Sequence, residues 1–173
     1  MQTPEARIAF IVRGVVQQAM RDAGAKHVKL AGCEQRQKEL VLQWCDVAQS
    51  EDAGALIVMS AANKTELLLG QPPRADVYPL GDLYASDIED LAGSYEIGGA
   101  VKRLVDAAGG VRELDRALRS LLEERREPDQ AFAHIPQVRD DVMEQLHNSR
   151  FRRLHIGVVP KIGARTLGID LFI

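Results

Sequence analysis

The sequence predicts a helix-rich α/β fold with a small parallel sheet, and three observations lead to that prediction. Apolar residues recur at helical spacing through most of the chain. Residues 55–61, Ala-Leu-Ile-Val-Met-Ser-Ala, form a short continuous apolar run after a glycine, which is typical of a parallel strand buried on both faces. Polar residues follow this run at once, and that is the usual place for a ligand site in an α/β protein. Because so small a sheet is not stable alone, we expect helices or a partner to cover it.

Two amphipathic helices are predicted before this strand. Residues 4–23 carry apolar side chains at helical spacing, with Thr3 as a candidate cap and Pro4 at the first helical position. Residues 34–49 repeat the pattern, with Trp44 on the apolar side. Since the apolar faces of both helices are wide, we expect the chain to self-associate through them.

Four further helices are predicted after the strand, over residues 82–92, 97–107, 110–127 and 136–149. Asp82 is expected to cap the first of them. A Gly109-Gly110 pair separates the second from the third, and Pro128 is expected to end the third.

Length and composition exclude several classes of protein. With 173 residues and a net charge of −3, we expect a single domain over residues 1–173 without general affinity for nucleic acid. The longest apolar runs fall short of the roughly 20 residues that span a bilayer, and nothing in the sequence indicates export. Cys33 and Cys45 are the only cysteines, and we interpret them as reduced thiols in a cytoplasmic protein.

Four stretches carry a resemblance to a known family. They are Gly32–Trp44, Asn63–Gly70 (Asn-Lys-Thr-Glu-Leu-Leu-Leu-Gly), Tyr78–Tyr84 (Tyr-Pro-Leu-Gly-Asp-Leu-Tyr) and Pro160–Asp170 (Pro-Lys-Ile-Gly-Ala-Arg-Thr-Leu-Gly-Ile-Asp). Together they resemble the ammonia-dependent NAD synthetases, which belong to the NAD/GMP synthase-like branch of the adenine nucleotide α-hydrolase superfamily. The resemblance implies a Rossmann-like domain, a cytoplasmic homodimer and a ligase of NAD biosynthesis. Such enzymes adenylate deamido-NAD with ATP and Mg²⁺, and ammonia then displaces AMP.

The resemblance also implies roles for individual residues. Glu66 matches the magnesium-binding glutamate, while Arg36 and Asp76 match residues that contact deamido-NAD. Arg152 and Arg153 fall near a His-Lys pair of the family, and arginine forks suit the phosphate oxygens of a dinucleotide. Plainer roles stay open for Glu66, Asp76 and the two tail arginines: a helix-capping glutamate, a turn aspartate, and a basic tail that meets solvent or an acidic partner.

The sequence also departs from the family pattern. A Ser-Gly-Gly-x-Asp-Ser pyrophosphate loop is absent from these residues, so the backbone amides that cradle ATP phosphates are not supplied here. Ala61 stands where the family has a threonine, and Ala85 stands where it has a lysine. These losses place in doubt whether the chain uses ATP and Mg²⁺ at all.

Three interpretations therefore stay open. The chain is one part of a split or truncated synthetase whose ATP loop lies on a separate chain. Alternatively, it is a non-catalytic dimeric relative that acts as a binding or interaction protein. In the third interpretation, the basic tail binds nucleic acid or an acidic protein, and salt-dependent nucleic-acid binding would favour it.

Overall fold

The computed structural model describes residues 59–70, 75–93, 97, 99–153 and 156–167, except the side chains of residues 100 and 152. The chain divides into two compact units, Met1–Val58 and Met59–Ile173. The helices predicted over residues 4–23 and 34–49, and with them Arg36 and Trp44, lie outside the described residues.

The described part of the second unit is helix-rich. Its helices are α1 (Lys64–Leu69), α2 (Ala85–Ala92), α3 (Gly99–Ala108), α4 (Val111–Leu122), α5 (Pro128–Ala131) and α6 (Arg139–Arg153), and a 3₁₀ turn at Pro136–Val138 precedes α6. The helices predicted over residues 97–107 and 136–149 are confirmed, the second of them as the 3₁₀ turn followed by α6.

Side-chain caps fix where the first two helices begin. The Asn63 side chain accepts a hydrogen bond from the Glu66 amide at 2.9 Å, and the Glu66 carboxylate accepts one from the Asn63 amide at 3.1 Å. This reciprocal capping box satisfies two amides that the helix leaves unpaired. At α2, Asp87 accepts from the Tyr84 amide at 3.0 Å, and Gly93 ends the helix in the left-handed conformation with φ 78°.

Two of the predicted helix boundaries were wrong. Helix α2 begins at Ala85 rather than Asp82, because residues 79–82 form turns and the Asp82 carboxylate binds another segment. Helix α4 ends at Leu122 rather than at Pro128, and Pro128 instead occupies the first turn of α5. A proline suits that position, because its missing amide has no partner there in any case.

The glycine pair between α3 and α4 is a turn that depends on glycine. Gly109 has φ 84° and Gly110 has φ 134°, and side chains strongly disfavour both conformations. The turn lets α3 and α4 pack on each other, as the sequence predicts.

The core lies among α1, α4, α6 and the α5 region. Helix α1 packs on α6, and α2 and α3 pack on α4. The most deeply buried apolar side chains, each 1% exposed or less, include Leu68, Leu69, Leu114, Leu118, Phe132, Val138 and Val142. Burial of each such side chain stabilises the fold by roughly 1.5–3 kcal/mol.

Strand structure in the described residues is limited to isolated bridges. Val77 forms parallel bridges with Met59 on one side and Val158 on the other. The Tyr78 amide donates to the Val158 carbonyl at 2.8 Å, and the Val158 amide donates to the Asp76 carbonyl at 2.7 Å. Met59 belongs to the predicted 55–61 strand, of which residues 55–58 lie outside the described part.

Gly157 stands at the closest approach between two of these segments. A Cβ atom at Gly157 would lie 2.4 Å from the carbonyl oxygens of Ala75 and Asp76. Only a residue without a side chain fits against backbone at that distance.

In the described part of the chain, no helix has both the length and the apolar character needed to cross a membrane.

Candidate functional site

The first residue of α1 places a lysine in the interior. Lys64 is completely buried, and its Nζ donates to Glu123 Oε1 at 2.8 Å, to Asp82 Oδ1 at 3.4 Å and to the Arg165 carbonyl. Its ammonium group also lies 4.8 Å from the centre of the Tyr84 ring. An ammonium taken out of water must recover its lost hydration from such partners. We call the buried polar side chains around it (Lys64, Thr65, Asp82, Tyr84, Asp115 and Thr166) the Lys64 cluster.

Asp82 joins this lysine to a distant segment. While Oδ1 faces Lys64, Oδ2 accepts from the amides of Ile162 at 2.6 Å and Gly163 at 2.5 Å, and from Thr166 Oγ1 at 3.0 Å. The prediction that Asp82 caps a helix was wrong, because its carboxylate binds amides 80 and 81 residues further along the chain. Asp82 therefore holds segment 160–166 against the start of α1.

Asp115 forms the other end of the cluster. Its Oδ1 accepts from Thr65 Oγ1 at 2.7 Å and its Oδ2 accepts from the Ser86 amide at 2.8 Å, at the start of α2. Thr65 Oγ1 in turn accepts from the Ala85 amide at 3.0 Å. Burial raises the pKa of Asp115, and the hydrogen bonds from Thr65 and Ser86 oppose that rise. The arrangement gives the N-terminus of α2 a carboxylate partner from α4.

Tyr84 packs between the cluster and the charged side chains of α4. The ring is 1% exposed, and the Arg119 guanidinium carbon lies 4.2 Å from its centre. Arg119 also binds Asp87 at 2.6 Å. Burial, followed by the negative charge of Glu123, raises the pKa of the Tyr84 hydroxyl well above its usual range. Tyr84 is therefore a neutral phenol at physiological pH, with cations near its ring.

A shallow polar groove lies beside this site. It has a volume of about 340 Å³ and is lined by side chains of α2 and α4 and of the turn that follows: Ser86, Asp87, Asp90, Arg112, Arg116, Arg119 and Glu124. The lining arginines are each paired with a carboxylate. The groove is thus a surface of balanced charge.

Glu66, the predicted magnesium ligand, takes part in the helix cap. Its Oε2 accepts from the Asn63 amide, which is the plainer role that the sequence left open. In the described residues, no group of three or more His, Cys, Asp or Glu side chains is placed to hold a metal ion. A magnesium ion at Glu66 would take most of its ligands from water and from ligand phosphates. The metal role of Glu66 stays a prediction.

Arg153, predicted to contact phosphate, lies inside the structure. It is 6% exposed, and its guanidinium donates to the Leu68 carbonyl at 3.1 Å and to the Leu146 carbonyl at 2.7 Å. Burial, with a smaller effect of Arg150, lowers its pKa to about 10, so it stays charged at neutral pH. Arg153 therefore links α6 to the end of α1, and that structural role was missed from the sequence.

Asp76 is the one other predicted site residue whose side chain the structure describes. Asp76 is exposed, and its carbonyl pairs with the Val158 amide. The backbone of Arg152 lies in α6, its side chain is outside the described set, and Arg36 lies in the part of the chain that is not described. Contacts of these three residues with deamido-NAD stay predictions.

Apart from Asp115, the residues of the Lys64 cluster lie in the sequence motifs, but the sequence did not single them out as a site. Lys64 lies in the first motif after the strand, Asp82 in the second and Thr166 in the third. The available signal was a set of polar residues inside otherwise apolar stretches, since charged side chains are buried only with partners.

No protein-family model matches the chain, and no curated protein or solved structure is significantly similar to it.

Proposed function

We propose that the chain is an NAD synthetase-like protein that binds deamido-NAD and does not form NAD by itself. The observation that carries the proposal is the meeting of three motifs in one buried cluster. Lys64, Asp82 and Thr166 come from three of the four stretches that carry the resemblance, and Asp82 contacts both of the others. Motifs that derive from one ancestral core would be expected to pack together in this way. In this proposal, the bridges at Val77 belong to a small parallel sheet of a Rossmann-like domain in a cytoplasmic protein.

The same residues argue against catalysis by the chain alone. Adenylation of a carboxylate by ATP depends on cations and amides placed at the phosphates. The family's phosphate-facing lysine is Ala85 here, which is completely buried with its amide on Thr65. Lys64 does not replace it, because its ammonium is also buried and bound to two carboxylates.

The first experiment measures NAD formation from deamido-NAD, ATP, Mg²⁺ and ammonia with the purified chain. We expect no turnover, and a rate of roughly 1 per second, ordinary for an enzyme, would overturn this part of the proposal. Adding a second polypeptide with a Ser-Gly-Gly-x-Asp-Ser loop tests the split-enzyme version. Activity that requires both chains would support it.

The second experiment measures deamido-NAD binding by calorimetry. Changing Arg152 and Arg153 together to Ala should weaken binding at least about tenfold if they contact the pyrophosphate, since such a bond contributes about 1.5–3 kcal/mol. Because Arg153 also holds α6 to α1, its replacement can weaken binding through partial unfolding. The Arg152→Ala and Arg153→Ala single variants are therefore measured as well, and their affinities are compared at equal folded fraction. Arg150→Ala, which removes an exposed charge from the same helix, is the matched control. No binding by the wild type at millimolar ligand would reject the deamido-NAD site.

A non-catalytic dimeric binding protein is the second candidate, and the self-sufficiency of the cluster favours it. Lys64, Asp82 and Asp115 each have hydrogen-bond partners among the described residues, so the chain itself compensates these buried charges. Light scattering at micromolar concentration tests the expected dimer. Trp44→Ala should weaken assembly, and a wild-type monomer would count against this version.

A further inference from the structure

Segment 160–166 binds a carboxylate in a way that protein loops bind free anions. Two successive amides, of Ile162 and Gly163, and the Thr166 hydroxyl all point at one oxygen atom, Asp82 Oδ2. Successive amides directed at one point form an anion-binding concavity in many loops. Here the anion is a side chain of the same protein, 80 residues away in sequence.

The charge around this oxygen is arranged for a negative occupant. Lys64 Nζ lies 3.4 Å from the other carboxylate oxygen, and the side chains of both residues are completely buried. The same ammonium is bound to the Arg165 carbonyl of the segment. Three neutral donors and one buried cation thus converge on the carboxylate, and donors of this kind favour ionised acceptors.

We propose that residues 162–166, together with Lys64, form an oxyanion-binding site whose resident anion is the Asp82 carboxylate. The ligand class is a carboxylate or phosphate group, and Asp82 excludes it by occupying the site first. Segment 160–166 is closed onto α1 by this contact, so an anion that replaced Asp82 would hold the segment in the same place. The proposal does not depend on deamido-NAD or on NAD chemistry.

The Asp82 carboxylate competes strongly with any free carboxylate for the donors of segment 162–166. Linkage through the chain gives it an effective concentration that reaches the millimolar range or above. Wild-type protein should therefore show no specific response to added oxyanions. Removal of the carboxylate should expose the site, because the three donors then lose the oxygen that they share, and the buried ammonium keeps Glu123 and the Arg165 carbonyl but loses Asp82.

The test uses Asp82→Ala, which removes the carboxylate and leaves room for a formate ion. Thermal unfolding is followed as formate is added at constant ionic strength against sodium chloride. We expect a rise in Tm of about 3–6 °C when formate reaches about ten times its Kd, and above Kd the rise should follow the logarithm of the formate concentration. Inorganic phosphate in place of formate distinguishes a tetrahedral occupant from a planar one. A response to either supports an oxyanion site.

Two matched variants locate the effect. Asp82→Ala combined with Lys64→Met should lose the response, because the buried cation is gone. Asp90→Ala removes an exposed carboxylate that is also bound to an arginine, and it should behave as the wild type does. Equal responses of wild type and Asp82→Ala would overturn the proposal.

A second measurement covers the case in which Asp82→Ala does not fold. Asp82→Asn keeps the volume and removes the charge. Hydrogen exchange by mass spectrometry should then show faster exchange at the Ile162 and Gly163 amides than in wild type, while α4 stays protected. Unchanged protection of the 160–166 peptide would show that the carboxylate does not hold the segment, and would overturn the proposal.

Discussion

Replacement of Lys64 by Met tests whether the buried cluster holds the fold together. Methionine retains most of the length and volume of the lysine stem, so the change removes the charge without opening a large cavity. It leaves the Asp82 carboxylate, whose side chain is completely buried, without its cation. Glu123 is less affected, because its side chain is 19% exposed and regains water.

The size of the effect follows from this geometry. Breaking a buried ion pair by removing one partner costs about 3–5 kcal/mol. Asp82 keeps its three donors in segment 162–166, so we expect the lower half of that range, about 3–4 kcal/mol. Since whole domains are stable by about 5–15 kcal/mol, the variant should still fold but should unfold at a much lower urea concentration.

Urea unfolding followed by far-ultraviolet circular dichroism measures the loss. With a slope of about 2 kcal/mol per molar urea, the midpoint should fall by about 1.5–2 M. Lys102→Met is the matched control, because Lys102 makes a 3.4 Å bridge to Asp106 on the surface with its side chain 65% exposed. The control should change stability by no more than about 0.5 kcal/mol.

A loss smaller than about 1 kcal/mol for Lys64→Met would refute this reasoning. It would mean that Asp82 is adequately stabilised by the three donors alone. A double-mutant cycle with Asp82→Asn separates the two contributions. We expect a coupling energy of at least about 1 kcal/mol, because the two side chains share one network.

Three further predictions concern other parts of the fold. Burial raises the folded-state pKa of Asp115, so its stabilising proton is fully bound below the unfolded value of about 3.9 and is lost as pH rises through the folded value. The unfolding free energy of wild type minus that of Asp115→Asn should therefore fall as pH rises above about 4. A difference that grew with pH would contradict the sign. Gly157→Ala forces a Cβ to within 2.4 Å of two backbone carbonyl oxygens, so it should lower the unfolding free energy measured by urea titration by about 1–3 kcal/mol. Gly99→Ala is the control, because a Cβ at Gly99 has nothing within 4 Å, and it should not lower the unfolding free energy in this way. Arg153→Met removes the two charged hydrogen bonds to the Leu68 and Leu146 carbonyls, which keep only the Ser149 hydroxyl as a side-chain donor, and should lower the unfolding free energy by about 2–3 kcal/mol. A loss no larger than that of the exposed Arg150→Met would argue against the helix link.

The helices were the predictable part of this fold. Apolar spacing located α3 and α6, and the Gly109-Gly110 pair correctly predicted the turn between α3 and α4. These features depend on residues within a few positions of one another, where periodicity and turn chemistry act. A Rossmann-like sheet stays a prediction, because the described strand contacts are single bridges.

The site was less predictable, because its contacts are distant in sequence. Asp82 looks like a helix cap when only its neighbours are considered, yet its partners are Ile162 and Gly163. From the sequence, Glu123 is one more residue of a long charged helix. In the structure it directly follows the last residue of α4 and binds Lys64. Local patterns do not indicate which buried charges pair across a chain, so the pairing of Asp82 with Ile162 and Gly163 could not be predicted from the motifs.

The order of the cluster residues along the chain has a consequence for biosynthesis. Lys64 and Asp82 emerge from the ribosome well before Ile162, Gly163 and Thr166. Until segment 162–166 is released, Asp82 has no access to the three donors that it binds in the folded structure. Closure of the domain is then a late step with contacts of high sequence separation, which are slow to form. During that interval the nascent helices expose apolar surface, and chaperones recognise that feature.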